Sequence, residues 1–160
     1  MSERSKLVET STSVRKTVTV EAPVARAFEV FTAGFDGWWP RSHHVGEPEM
    51  AEAVMERRTG GRWYERGVDG SECDWGSVLV YEPPERLVLA WQLNSDFKYD
   101  QDLVTEVEVR FTADGRDRTR VELEHRNLDR FGPEAERMRA VFNSDGGWNG
   151  LLQSFANVAA

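Results

Sequence analysis

The 160-residue chain carries 20 basic and 28 acidic side chains, a net charge of −8, and 39% hydrophobic residues. That length suits one domain with a core that needs no staples, and the acidic balance argues against nucleic acid or an acidic membrane as a partner. A single cysteine, Cys73, excludes an intrachain disulfide framework, and no apolar run approaches the ~20 residues of a membrane span.

The opening MSERSKLVETSTS has no apolar signal core and reads as a flexible lead-in over residues 1–13, with one domain over 14–160. With the lone cysteine, this leads to the expectation of a cytoplasmic protein. VRKTVTVE (14–21) puts Val14, Val18 and Val20 on one face, a strand signal. In APVARAFEVFTA, Pro23 suits a first helical turn, and Val24, Ala27, Phe28 and Phe31 recur at helical spacing. FDGWWPRSHHVGEPE (35–49) reads as a loop or broken helix carrying large apolar side chains.

Strands then follow in quick succession. AEAVMERR (51–58) meets GGRWYERG (60–67), and Asp69-Gly70 turns the chain into DWGSVLVYE (74–82). Pro83-Pro84 ends that strand and RLVLAWQL (86–93) begins the next. NSDFKYDQD (94–102) is a polar loop holding Phe97 and Tyr99. In LVTEVEVRFT (103–112), Leu103, Thr105, Val107, Val109 and Phe111 face one way. In RTRVELEHR (118–126), Thr119, Val121, Leu123 and His125 do the same. This alternation describes an antiparallel sheet with one wet and one covered face. PEAERMRAVF (133–142) reads as helix, NSDGG interrupts it, and Trp148, Leu151, Leu152, Phe155 and Val158 form a second helical stripe. At the interruption, the glycines either re-aim the helix over the sheet or mark a plain break with Gly147 near an N-cap.

The fold class is α+β: a curved antiparallel sheet of about seven strands around a long C-terminal helix, with two shorter helical pieces between the first two strands. Such a sheet leaves space beside its helix, and Trp38, Trp39, Trp63, Trp91, Phe97, Tyr99 and Trp148 fall near it. They either fill the core or line a small-molecule pocket. His125, on the covered face, is either a ligand or proton-carrying group or a core histidine satisfied by backbone or water. Arg57, Arg58, Arg62 and Arg66 with Glu52, Glu56 and Glu65 read as a solvated cross-strand network. His43-His44, Cys73 and His125 match no metal spacing, and Ser42-His43 lacks a nucleophile-elbow context. No metal and no cofactor is expected.

GGRWYERGVDGSECDWGSVLVYEPPERLVLAW (60–91) joins Gly60, Gly61, Trp63 and Tyr64 to Trp75, Gly76 and Val78, then to Pro83, Pro84, Arg86, Leu87 and Trp91. This resembles the SRPBCC (START-like, Bet v 1-like) superfamily and, within it, the activator of Hsp90 ATPase homologue 1-like (AHSA1-like) group. EAPVARAFEVFT, VELEHRNL and GGWNGLLQSF extend the resemblance over roughly residues 14–158. It implies a helix-grip fold with an internal cavity. The leading expectation is binding of a small hydrophobic or aromatic molecule by Trp39, Trp63, Trp91, Phe97, Tyr99, His125 and Trp148, with Phe97 and Tyr99 as a lid. One alternative is a polyketide cyclase/dehydrase-like enzyme with His125 as general acid or base. Another is a co-chaperone-like interaction module, although the chain has no separate chaperone-binding domain. Exposed loop aromatics leave a homodimer open.

Overall fold

The computed structural model describes residues 12–160. The expected lead-in lies outside the described residues except for Thr12 and Ser13. Ser13 is buried, and its carbonyl accepts from Arg139 Nε at 3.3 Å.

Seven strands form one sheet: β1 (Val14–Val20), β2 (Met50–Met55), β3 (Arg62–Gly67), β4 (Glu72–Glu82), β5 (Arg86–Trp91), β6 (Thr105–Ala113) and β7 (Thr119–Arg126). Their spatial order is β1-β7-β6-β5-β4-β3-β2, with every neighbouring pair antiparallel. Strands β2 to β7 pair in chain order, through short connections except for the longer loop 92–104 between β5 and β6. The first connection must therefore cross from one sheet edge to the other. It carries α1 (Val24–Thr32) and α2 (Phe35–Trp38). After β7 a 3-10 segment (Leu128–Glu134) leads into α3 (Ala135–Asn143) and α4 (Trp148–Ala159). The curled sheet and the bent C-terminal helix make the α+β helix-grip fold.

Alternation holds well in the central strands. Thr105, Val107, Val109 and Phe111 of β6 are buried, as are Thr119, Val121, Leu123 and His125 of β7. On the opposite face, Arg126 bonds Glu106 at 2.8 Å and Glu108 at 2.5 Å, and Arg86 bonds Glu108 at 2.9 Å. Burial works to raise the Glu108 pKa, but N–H donation from Arg126 and Arg86 outweighs it and holds the carboxyl below its usual range.

Strict alternation fails in β4. Trp63 pairs with Gly76 and Tyr64 with Asp74, so Trp75 is an extra residue in a bulge. A bulge re-aims its side chain, and Trp75 is buried against Trp63, with ring centroids 5.5 Å apart. A second register shift, between Val78 and Val80, leaves Leu79 unpaired and exposed.

The C-terminal helix bends at residues 144–147, with Gly147 as the N-cap of α4. The two readings of the glycine interruption thus describe one feature. Neither Gly146 nor Gly147 has a positive φ. The need for glycine is steric, because a Cβ on Gly147 would stand 2.4 Å from the Val141 carbonyl oxygen. In α4 the buried stripe is Trp148, Leu151, Leu152, Phe155, Ala156 and Ala159. Val158 is exposed instead, because the run 148, 152, 155, 159 continues the covered face. Arg26 Nε caps the helix by donating to the Ala159 carbonyl at 2.8 Å.

Candidate functional site

A cavity of about 300 Å³ lies between the sheet and the bent C-terminal helix. That falls at the lower end of the volumes that hold drug-sized ligands. Its wall is mostly aromatic, with Trp39, Trp75, Trp91 and Trp148 around it. Trp39 lies 5.3 Å from Trp75 and 6.1 Å from Trp148, and Trp91 lies 5.9 Å from Trp148, by ring centroids. Val141 and Phe142 from the end of α3 and Leu151 from α4 complete the helical side. The bend after α3 brings these residues and Trp148 onto one wall.

Three elements set the rim. The segment after α2 contributes Ser42, His43, His44 and Val45. Two contacts pin it. Trp39 Nε1 donates to the His43 carbonyl at 2.9 Å, and Glu65 accepts the Val45 N–H at 2.5 Å and the Gly46 N–H at 3.1 Å. Glu65 also accepts the Trp75 indole N–H at 2.9 Å. The carboxylate is only 1% exposed. Three N–H donors offset the cost of burying it. Glu65 therefore stands apart from the cross-strand network in which its charge placed it. That network is Arg66–Glu52, Arg62–Glu72, Arg62–Asp74 and Arg58–Glu56. Strand parity in β3 puts Glu65 on the face of Trp63, and that signal was available in the sequence.

The second rim element is the loop between β5 and β6. Phe97 lies on the cavity and is 38% exposed, at φ +57. That conformation is costly for a bulky residue. Asn94 holds it there: its side-chain oxygen accepts from the N–H groups of Asp96 (2.9 Å) and Lys98 (3.1 Å), and its carbonyl accepts from the Phe97 N–H (2.9 Å). The third element is the α3–α4 junction, where the Gly146 carbonyl accepts from His43 Nε2 at 2.8 Å.

Of the residues expected to bind a ligand, Trp39, Trp91, Phe97 and Trp148 line the cavity, whereas Trp63, Tyr99 and His125 do not. Trp63 is fully buried behind Trp75 and Trp91. Tyr99 pairs through its backbone with Leu93 and leaves its ring 43% exposed, off the wall. His125 is sealed behind Trp148, Trp91 and Phe142, the last with its ring 4.3 Å away.

The bonds of His125 admit one arrangement of protons. An indole N–H only donates, so Trp148 Nε1–H donates to Nδ1 at 3.1 Å. Nε2 then carries the proton and donates to Thr105 Oγ1 at 2.8 Å, and Thr105 donates to the Trp91 carbonyl at 3.2 Å. Burial pushes the His125 pKa down to about 3. No carboxylate among the described residues bonds the ring. His125 is a neutral histidine that fastens β7 to β6 and to α4.

Sequence reasoning missed Trp75, Val141, Phe142, Leu151 and the two rim histidines as wall residues. Helical spacing pointed to Leu151 as apolar and inward. Trp75 depended on a bulge that parity does not show. Among the described residues, no three His, Cys, Asp or Glu side chains gather to hold a metal ion, and no helix is long and apolar enough to cross a membrane.

Known proteins agree with this architecture. The chain is similar to a solved structure described as an anthrahydroquino-γ-pyrone synthase, Txn09, with 40% identity over 92% of this chain and 96% of that one, at a TM-score of 0.66. It is 36% identical to CalC, described as a self-sacrificing resistance protein from Micromonospora echinospora, over 94% of this chain and 95% of that one, at a TM-score of 0.71. A protein from Nitrosomonas europaea, NE0264, shares the fold at 15% identity, with 93% and 94% coverage and a TM-score of 0.63. A comparison with curated proteins finds no match. The sequence model described as activator of Hsp90 ATPase homolog 1-like protein matches residues 21–160, and the chain belongs to that family.

Proposed function

We propose that the protein binds a flat, mostly apolar aromatic molecule in the cavity between its sheet and its bent C-terminal helix. One observation carries the reading: an aromatic cavity of about 300 Å³ bounded by Trp39, Trp75, Trp91 and Trp148. Rings of this kind favour another ring in offset or edge-on contact. Phe97 covers the mouth. The similarity to a structure described as an anthrahydroquino-γ-pyrone synthase supports a polycyclic ligand.

Ring closure on such a ligand is the second reading, favoured by that 40% identity. His125 is unsuited to its acid–base step, since the ring is shut away from the cavity and both its nitrogens are engaged.

Tryptophan fluorescence tests the binding reading, with alizarin (a dihydroxyanthraquinone) as the probe. Quenching should saturate in the wild type. Val141→Phe, which narrows the cavity from a half-buried wall position, should weaken binding by about tenfold or more. Absence of saturable quenching, or unchanged affinity in a folded Val141→Phe protein, would sink the reading.

A further inference from the structure

We propose that His44 is the proton-transfer group of this cavity, with its Nε2 as the base that takes the hydroxyl proton of a hydroxylated aromatic ligand. The proposal rests on the binding reading above and deepens it to a ligand class: a phenol seated with its ring among the tryptophans and its hydroxyl at the rim.

Both histidines are among the residues that line the cavity, His43 half-buried and His44 exposed at the rim. Each has one nitrogen on a backbone carbonyl, His43 Nε2 on Gly146 at 2.8 Å and His44 Nδ1 on Gly46 at 2.8 Å. A carbonyl only accepts, so these two nitrogens carry the protons of the neutral rings. The lone pairs are left on His43 Nδ1 and His44 Nε2. Ser42 Oγ, 3.1 Å away, donates to the first. The second has no hydrogen-bond partner among the described residues. Of the four ring nitrogens of these two histidines, it is the one without a hydrogen-bond partner among the described residues.

The position is also held in place. Trp39 grips the backbone on one side of His44 and Glu65 on the other. Preorganisation of this kind distinguishes a working base from a loose surface histidine. The charged and titratable groups around it are Glu65 and Cys73 beneath Gly46, Arg41 and Glu47 on the same segment, and Asp145 beside Gly146. Glu65 is occupied by its three N–H bonds, and Arg41 is paired with Asp36 at 2.8 Å.

In the step itself, the ligand O–H bond breaks and its electron pair stays on oxygen. The proton forms a new N–H bond at His44 Nε2. The resulting imidazolium keeps its Nδ1–H on the Gly46 carbonyl. The aryloxide left in the cavity is the nucleophile that a ring closure needs.

Alizarin tests this directly, because it turns from yellow to red-violet when it loses a hydroxyl proton. It is added to the full chain at a pH where the free dye is still yellow. Bound to the wild type it should be red-violet. Bound to His44→Gln it should stay yellow, with the ratio of anion to neutral dye falling by about tenfold or more, while quenching still saturates and affinity weakens by no more than that same factor. An unchanged melting temperature checks the fold of this exposed-site variant. A yellow complex in the wild type, or a red-violet one in His44→Gln, overturns the proton-transfer proposal and leaves the binding reading standing. Absence of saturable quenching overturns both.

Discussion

The three histidines show how little a residue type says before its surroundings are known. His125 sits in the core with both nitrogens bonded, while His43 and His44 sit at a cavity rim with one lone pair open. Phe97 makes the same point through its backbone. Its φ of +57 suits glycine and strains a phenylalanine, yet its ring lies on the cavity mouth. Strain of about 1 kcal/mol or more at a cavity-lining residue fits the proposal that this side chain is kept for a contact at the mouth, not for stability. Phe97→Gly should therefore leave stability in urea unchanged or raise it by about 1 kcal/mol. The same variant should weaken alizarin binding. A clear loss of stability with full binding would show that the ring serves the core and not the mouth.

Among the elements, the α3–α4 junction decides the cavity. Its four-residue bend swings Trp148 and Leu151 against the wall that Val141 and Phe142 begin. The bend depends on close backbone approach. A Cβ at Gly147 would meet the Val141 carbonyl oxygen at 2.4 Å and that of Phe142 at 2.5 Å, and one at Gly150 would meet the Asp145 carbonyl oxygen at 2.1 Å. These atoms are backbone and cannot turn aside. Gly147→Ala should cost about 2–4 kcal/mol by chemical denaturation, the range of overpacked or strained sites. A variant as stable as the wild type would mean that the junction shifts without cost, and the wall with it. The rim segment after α2 follows a similar logic. Its place is set by Glu65 on β3 together with the Trp39 indole and its own Pro40–His43 turn.

At the scale of the whole molecule, the sheet and the helix that it grips are locked by one buried ring. His125 ties β7 to β6 through Thr105 and to α4 through Trp148. Protonating it would put a hydrogen on Nδ1 against the Trp148 N–H and break the tie to α4, while Nε2–H would still donate to Thr105. Its folded pKa is depressed to about 3, against about 6.5 in an unfolded chain. As pH falls, the unfolded state takes up the proton first. The contribution is therefore complete above about pH 6.5 and is lost progressively below it, at up to about 1.4 kcal/mol per pH unit, until the folded pKa is reached. Urea unfolding of wild type and His125→Gln between about pH 6 and about pH 4 isolates this term, because carboxylate effects are common to both. The wild type should lose stability more steeply by about that slope. Parallel curves would show that the ring is protonated in the folded state.

Period-2 and helical spacing are local properties, so the chain's pattern alone gave most of the elements and most of their covered faces, Val158 excepted. The alternation in β6 and β7 put Thr105 and His125 inside, and the stripe in α4 put Trp148, Leu151 and Phe155 inside. The motif from Gly60 to Trp91 carried the family. Only the tertiary structure decided which of those inward groups face open space. Trp75 turns in through a bulge that breaks parity, and Trp63 falls behind it. Tyr99 stays out because its neighbours pair through backbone. The rim histidines reach the cavity through contacts between segments far apart in the chain, Gly46 with Glu65 and His43 with Gly146. Spacing along a chain fixes the side of an element that is covered. Whether what covers it is another side chain or a cavity depends on how separate elements meet.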